Sequence, residues 1–161
     1  PGATERDKGY WRDVGTLGSY YAAHMDVVSP LPIFNLYNFD WPIYTSYGPQ
    51  PPAKVVASGG RESQVDEAVL SPGVVVSGGH VNRSVLSPAV HVGEGASVDG
   101  SVLMNGVTVG AGAVVRNAIL DKNVVVPPGA EIGVDAQADR ARGFLVEDGL
   151  TVLGKDQVFP G

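Results

Sequence analysis

The chain has no cysteine and no long apolar run. Without cysteine it can form neither a disulfide framework nor a cysteine-based metal site. No apolar run approaches the length that spans a membrane, and no signal peptide is visible. We therefore expect no membrane partner and a cytoplasmic location.

Clustered positive charge is also missing. The chain has 11 Lys and Arg against 17 Asp and Glu, with a net charge of −6, and no basic run. Proteins that bind nucleic acid or anionic membranes usually carry a basic patch. The composition therefore argues against nucleic acid as the main partner.

Aromatic residues are absent from the middle of the chain. Both Trp and all six Tyr lie before residue 48, and no aromatic residue occurs between Tyr47 and Phe144. The Pro-rich strip at residues 48–54 predicts a stiff, extended connector. Because 47 residues are too few for a good core, we expect this first segment, which begins without Met, to be the end of a larger domain.

A helix is predicted from Thr16 to about Val27. Thr16 is a residue type that caps helix N-termini. Apolar positions recur at helical spacing. They are Leu17, Tyr20, Tyr21, His24, Met25 and Val28.

Residues 65–132 repeat with a period of 16 or 17 residues. Successive copies open at Val65, Val81, Val98, Val115 and Ile132. A six-residue step is nested inside, as from Val75 to Val81. This short period, with β-branched residues between turn formers, predicts a hexapeptide parallel β-helix of four to five triangular coils.

The aligned columns predict what fills the coils. A small column is expected where the walls crowd together, and branched aliphatic columns fill the remaining space. The small column is Gly79, Ala96, Ala113 and Ala130. The branched columns are Val85, Val102 and Ile119, and Val90, Val107 and Val124. A leucine column expected near a corner is Leu70, Leu86, Leu103 and Leu120.

Four motifs carry a resemblance to a known family. They are Gly9-Tyr-Trp-Arg-Asp-Val-Gly-Thr16, Asn35-Leu-Tyr-Asn38, Trp41-Pro-Ile43 and Pro51-Pro-Ala-Lys54. With the hexapeptide coils they resemble the C-terminal part of bacterial glucose-1-phosphate adenylyltransferases. The resemblance implies a left-handed coil and a homotetramer that makes ADP-glucose and pyrophosphate from ATP and glucose 1-phosphate with Mg²⁺. It also implies an N-terminal α/β domain with the nucleotide loop, which this sequence lacks.

The resemblance assigns three site residues. Asp13 matches a catalytic Mg²⁺ carboxylate of the family, whose partner carboxylate belongs to the missing domain. Lys122 and Lys155 match basic residues that bind a sugar-phosphate or nucleotide effector. Gly106 and Phe159 depart from the pattern, since the family has an acidic and a basic residue there, and this puts the identity of the effector in doubt.

These observations predict two parts. Residues 1–60 are the end of the catalytic domain with its connector, and residues 61–161 are the β-helix domain. The latter comprises coils at 61–134 and a C-terminal helix and strand at 135–161, where Arg140 and Arg142 are expected to face solvent. We expect the connector to cap one end of the coils and the tail to cap the other, and the fragment alone to be inactive.

Two other functions stay open. A hexapeptide-repeat acyltransferase would use a His as general base near a protruding loop. The coils run without such an insertion, so we expect surface or packing roles for His24, His80 and His91. A free-standing, non-catalytic regulatory or scaffold module that binds another subunit is the second alternative.

Overall fold

The computed structural model describes residues 9–40, 42–45 and 48–159. Trp41 and Tyr47, which belong to the aromatic segment, lie outside these residues. The first element is helix α1 (Leu17–Val27), and a second helix, α2 (Ala136–Ala141), follows the coils. Neither of these two helices is long and apolar enough to cross a membrane.

Between and after the helices, the described chain forms three sheets of short strands. The first sheet contains β1 (Lys54–Val56), β4 (Val75–Ser77), β7 (His91–Val92), β10 (Thr108–Val109) and β13 (Val125–Val126). The second contains β2 (Gln64–Asp66), β5 (His80–Asn82), β8 (Ser97–Asp99), β11 (Val114–Arg116) and β14 (Glu131–Ile132). The third contains β3 (Val69–Leu70), β6 (Val85–Leu86), β9 (Val102–Leu103), β12 (Ala118–Leu120), β15 (Leu145–Glu147) and β16 (Leu150–Leu153).

Strands β1 to β14 each pair in parallel with a counterpart one coil away, as the repeat predicts. Val81 pairs with Val98, and Val98 pairs with Val115, in register. The predicted parallel β-helix is therefore confirmed, with about five coils. Its first strand, β1, already pairs with β4, so the coils begin at residue 54, before the predicted boundary at residue 61.

The interior is a single stack of apolar side chains. Val90, Val107 and Val124 are fully buried, as predicted, and so are Ala96 and Ala113 of the small column. Leu86, Leu103 and Leu120 are fully buried members of the same core. Because one coil cannot bury its own inner face, each depends on the next for stability.

One predicted column was assigned to the wrong side. Val85, Val102 and Ile119 lie outside the core cluster, and the leucines that follow them lie inside it. Successive side chains of a strand point to opposite faces, so an inward leucine turns its neighbour outward. Val102 and Ile119 are nevertheless buried, because the third sheet is covered on its outer face.

Two serines occupy inward positions, and the hydroxyl of each is hydrogen-bonded. Ser84 and Ser101 are fully buried. The Ser84 hydroxyl donates to Asn82 O at 2.7 Å and accepts from Ser101 N–H at 3.1 Å. In the same way, the Ser101 hydroxyl donates to Asp99 O and accepts from Ala118 N–H. Hydrogen bonding along the stack thus makes these buried hydroxyls acceptable in the core.

The C-terminal tail closes one end of the coils, as predicted. After α2 the chain returns as an antiparallel pair, β15 and β16, rather than as a single strand. Phe144 is 4% exposed and belongs to the core cluster, and Phe159 packs against it with ring centroids 5.5 Å apart. Arg142 is exposed, as predicted, and its guanidinium also pairs with Asp139 at 3.2 Å and lies over the Phe159 ring.

The opposite end is not closed by the described connector. Residues 48–53 are exposed, while Val65 and Leu70 of the first coil are only half-buried. The connector instead runs beside the coils, where Pro51 O accepts from Gly73 N–H at 2.6 Å. The expected cap at this end is therefore wrong for the part of the chain that the structure describes.

Candidate functional site

Asp13 lies in an exposed turn just before α1. Its Oδ1 accepts a hydrogen bond from Gly15 N–H at 2.9 Å. A bond from an Asp side-chain oxygen to the backbone N–H two residues later is called an Asx turn. This bond holds the Asp13 side chain within the turn.

Arg12 ties the same turn to the helix. One of its terminal nitrogens donates to Ala22 O at 3.2 Å and lies 3.6 Å from a carboxylate oxygen of Asp26. That oxygen is buried and has no hydrogen bond, so the Arg12 charge is the group that offsets its burial. The Asp13 turn and α1 therefore form one local unit.

The start of α1 is closed by reciprocal hydrogen bonds. Ser19 N–H donates to the Thr16 hydroxyl at 3.1 Å, and Thr16 N–H donates to the Ser19 hydroxyl at 3.1 Å. This is a capping box, which pairs backbone donors that a helix start leaves open. The predicted N-cap at Thr16 is confirmed, and it places Asp13 three residues ahead of a rigid helix.

Two tyrosines of α1 contact the β-helix. The Tyr21 hydroxyl donates to Gly100 O at 2.6 Å, across 79 residues of sequence. Burial raises the pKa of Tyr20, and the nearby Asp121 carboxylate raises it further. Burial likewise raises the pKa of Tyr21, with Asp99 adding to the rise and Arg83 opposing it. Both hydroxyls therefore keep their protons at neutral pH, as the Tyr21 bond to Gly100 O requires.

A cleft of about 390 Å³ lies between the start of α1 and the third sheet. The helix side contributes Val14, Gly15, Thr16, Leu17 and Tyr20. The β-helix side contributes Met104, Ile119, Asp121, Val152, Leu153 and Gly154. Sequence neighbours of Asp13 therefore line the same cleft as sequence neighbours of Lys122 and Lys155.

Lys122 and Lys155 lie on adjacent coils at one corner of the β-helix. Asp156 N–H donates to Lys122 O at 2.9 Å, and Asp121 N–H donates to Leu153 O at 3.0 Å. The side chains of both lysines are more than half exposed. The structure therefore brings the two predicted effector residues to one surface.

This corner carries no net positive charge. The Lys122 ammonium lies 3.8 Å from Asp121, and the Lys155 ammonium lies 3.8 Å from Asp156. Asn123 also donates to Asp156 at 2.8 Å. Exposed pairs of this kind contribute about 0–1 kcal/mol, so an incoming phosphate could replace either carboxylate at small cost.

The described residues do not form a complete metal site by themselves. Among residues 9–40, 42–45 and 48–159, no three His, Asp or Glu side chains are grouped closely enough to hold an ion. Mg²⁺ is usually held by one or two carboxylates together with substrate phosphates. An exposed carboxylate such as that of Asp13 is chemically compatible with one such position.

The two departures from the family pattern have packing roles here. Phe159 completes the cap with Phe144 and Arg142. Gly106 has φ +72°, and a Cβ there would come within 2.8 Å of Asn123 Oδ1. A basic or acidic side chain at either position would need local rearrangement.

The histidines lie on three separate elements. His80 and His91 are exposed on the second and first sheets, as expected for His91 between two inward valines. His24 packs its ring 4.3 Å from the Tyr20 ring on α1. None of the three lines the cleft described above.

Sequence reasoning missed how the cleft is assembled. The repeat gave no sign that Asp121 and Gly154 would meet the helix start. Tyr20 and Tyr21 were assigned to the apolar face of the helix, which was the available signal that this face is covered.

Comparison with known proteins agrees with the fold and motifs. The family model for GlmU-like C-terminal hexapeptide domains matches residues 51–153. Glucose-1-phosphate adenylyltransferases from Arthrobacter sp. and Kocuria rhizophila are 56% and 60% identical over 99% of this chain. That of Acidothermus cellulolyticus is 59% identical over 98%. The chain spans 35%, 39% and 37% of these three relatives. The chain belongs to the GlmU-like C-terminal hexapeptide family, and its curated relatives are glucose-1-phosphate adenylyltransferases.

Proposed function

We propose that this chain is the C-terminal part of a glucose-1-phosphate adenylyltransferase, which converts ATP and glucose 1-phosphate into ADP-glucose and pyrophosphate. The observation that carries the proposal is the similarity over 98–99% of the chain to enzymes of that name. In this proposal the part supplies subunit contacts for a homotetramer, allosteric coupling and one metal carboxylate. The cytoplasmic location belongs to the same proposal.

Exposed apolar side chains in the first segment support a larger enzyme. Trp11 is 81% exposed, Phe39 is 89% exposed and Tyr44 is 90% exposed. A groove of about 380 Å³ beside α1 is lined by Tyr10, Trp11 and Phe34, among others. Concentrated apolar surface of this kind is typical of an interface, and the catalytic domain is the partner that the proposal gives it.

Asp13 is the proposed Mg²⁺ ligand of this part. Mg²⁺ bound there together with substrate phosphates would neutralise charge on the nucleotide during transfer. The residues of this chain hold the carboxylate in position: Gly15 N–H orients one oxygen, and Arg12 anchors the turn to α1. The remaining ligands would come from the catalytic domain and the nucleotide.

Lys122 and Lys155 are the proposed effector residues. Two exposed ammonium groups on adjacent coils can meet a phosphate as point charges, without the bidentate geometry of arginine. Because Asp121 and Asp156 balance them, useful affinity requires further positive charge from the catalytic domain. The proposed effector is therefore a sugar phosphate or nucleotide bound between the two domains.

The first experiment is the intact mass of the natural protein, followed by its activity. A mass far above 16.7 kDa, together with pyrophosphate release from ATP and glucose 1-phosphate, supports the proposal. A natural protein of 16.7 kDa would contradict it and favour a free-standing module. A longer protein with no such activity would contradict the assigned reaction.

Substitution of Asp13 tests the metal role in the full-length enzyme. Asp13→Asn keeps the side-chain size and one acceptor but removes the charge, so Mg²⁺-dependent turnover should be lost. Asp66→Asn, at an exposed carboxylate of the second sheet, is the matched control and should behave like the wild type. Normal turnover of Asp13→Asn would refute the assignment.

Charge removal tests the effector residues. Lys122→Ala and Lys155→Ala should each weaken activation by a sugar phosphate while leaving turnover without effector intact. Lys54→Ala, at an exposed lysine of the first sheet, is the matched control. Unchanged activation in both test variants would exclude this corner as the effector site.

A further inference from the structure

One corner of the β-helix has the same backbone in four successive coils but only one glycine. The corner residues Glu67, Arg83, Gly100 and Asn117 all have positive φ, between 43° and 52°. Positive φ is unfavourable for residues with a Cβ, yet three of the four positions carry a side chain. Backbone conformation alone therefore does not explain why the third position is glycine.

Gly100 differs from the other three corner residues in its surroundings. Glu67, Arg83 and Asn117 are exposed, whereas Gly100 is buried. The Tyr21 hydroxyl donates to Gly100 O at 2.6 Å, and a Cβ on Gly100 would lie 3.2 Å from that hydroxyl oxygen and 3.0 Å from Asn117 Oδ1 in the next coil. Glycine thus occurs in the coil where the tyrosine approaches the backbone.

Helix α1 links this contact to the corner of the β-helix that carries Lys122 and Lys155. Tyr21 holds one side of α1 at Gly100, while Tyr20 and Leu17 line the cleft with Asp121 and Gly154. The Arg12 side chain joins the turn that contains Asp13 to α1 through Ala22 O and Asp26. The position of α1 on the sheet therefore sets how the Asp13 turn faces the corner that carries Lys122 and Lys155.

We propose that Tyr21 is a positioning residue whose hydrogen bond to Gly100 couples phosphate binding at the Lys122 and Lys155 corner to Mg²⁺ binding at Asp13. This rests on the proposed function, because it takes Asp13 and the two lysines in their proposed roles. Tyr21 contacts neither ligand. Its hydrogen bond holds α1 in position against the β-helix, so that a structural change on one side of the cleft reaches the other side.

Coupling of this kind is reciprocal and can be measured by binding alone. If phosphate binding favours metal binding, metal binding must favour phosphate binding by the same factor, typically about 5–150-fold. The measurement is the dissociation constant of fructose 6-phosphate, used as a sugar-phosphate probe, for the full-length enzyme. It is taken with and without Mg²⁺ plus a non-hydrolysable ATP analogue, and the ratio of the two constants is the coupling factor.

Two variants perturb the contact between Tyr21 and Gly100, and a third controls for backbone strain. Tyr21→Phe removes only the hydroxyl. Gly100→Ala adds a Cβ at φ +52°, 3.2 Å from that hydroxyl and 3.0 Å from Asn117 Oδ1, so Tyr21→Phe is the variant that isolates the hydroxyl. Gly112→Ala adds a Cβ at φ +68° with no atom within 4 Å, so it carries the strain without the contact.

The expected result is a coupling factor in Tyr21→Phe and Gly100→Ala below about one third of the wild-type value, given a wild-type factor in the usual range. The dissociation constant of the probe without Mg²⁺ should stay within about twofold, and Gly112→Ala should keep the wild-type factor. An unchanged coupling factor in both Tyr21→Phe and Gly100→Ala overturns the inference. If Lys122→Ala and Asp13→Asn still lose their ligands in that case, the proposed function stands. A wild-type enzyme that does not bind the probe, or has a factor of one, overturns the proposed regulatory role and this inference together.

Discussion

The buried carboxylate of Asp139 should be the most sensitive single group in the C-terminal cap. It is 1% exposed and lies in α2. One oxygen accepts from Gly133 N–H and from the Thr151 hydroxyl, both at 2.8 Å, and the other lies 3.2 Å from Arg142. These bonds join the last coil, the helix and the final hairpin.

Replacing Asp139 by alanine should lower the free energy of unfolding by about 3–5 kcal/mol. Two donors, Gly133 N–H and the Thr151 hydroxyl, lose their acceptor, and each buried unpaired donor costs about 1–3 kcal/mol. Arg142 adds less, because its side chain is 34% exposed and it also donates to Glu131 O. Equilibrium urea unfolding, followed by circular dichroism, measures the change.

Two further variants make the test specific. Thr151→Val keeps the branched shape and removes one donor, so it should cost about 1 kcal/mol and should cost less still when combined with Asp139→Ala. Glu147→Ala removes an exposed carboxylate from the same tail and should leave stability within about 0.5 kcal/mol of the wild type. A loss below about 1 kcal/mol for Asp139→Ala would refute the argument that this network holds the cap together.

Three other predictions concern the cap, the core and a coil corner. Backbone N–H groups of the first turn of α2 lower the pKa of Asp135, so its contribution is present above its unfolded-state pKa and is lost as the pH falls through the lower folded-state value. Asp135→Ser keeps a capping acceptor and should flatten the loss of melting temperature below about pH 4; an unchanged acid slope would contradict this. Leu103 is fully buried, so Leu103→Ala should lower the free energy of unfolding in urea by about 2–5 kcal/mol, whereas Val125→Ala, at a 55% exposed position, should be nearly neutral; equal effects would place the leucine column outside the core. A Cβ on Gly110 would lie 2.5 Å from Pro128 N, so Gly110→Ala should cost about 1–3 kcal/mol in the same assay, and a wild-type midpoint would contradict that close approach.

The repeat predicted the stacking of the coils but not which face of one strand points inward. Columns spaced 17 residues apart show which side chains are neighbours, and both Leu103 and the preceding Val102 form apolar columns. Alternation cannot choose between them when both faces are apolar. The deciding fact is α1 on the outer face of the third sheet, which a periodic pattern in the coils does not contain.

Local signals predicted local structure well, and long-range contacts were beyond them. Thr16 caps α1, as its residue type predicts. The Tyr21 bond to Gly100 joins residues 79 apart, and the Asp139 network joins three elements that meet only after the coils stack. Arg142 is exposed, as predicted, but its pairing with Asp139 was not predictable, because nothing near it in sequence shows that Asp139 is buried.

The contacts of α1 with more than one coil limit how this fold can change in length. Solenoids commonly gain or lose whole repeats, since each coil contacts only its neighbours. Here an 11-residue helix contacts Gly100 in one coil and lines a cleft with Asp121 and Gly154 in later ones. Removing or adding a 17-residue repeat between these contacts would preserve every strand pairing yet leave the helix with one contact out of place. The helix therefore fixes the number of coils between Gly100 and Gly154, while coils before Gly100 are free of this constraint.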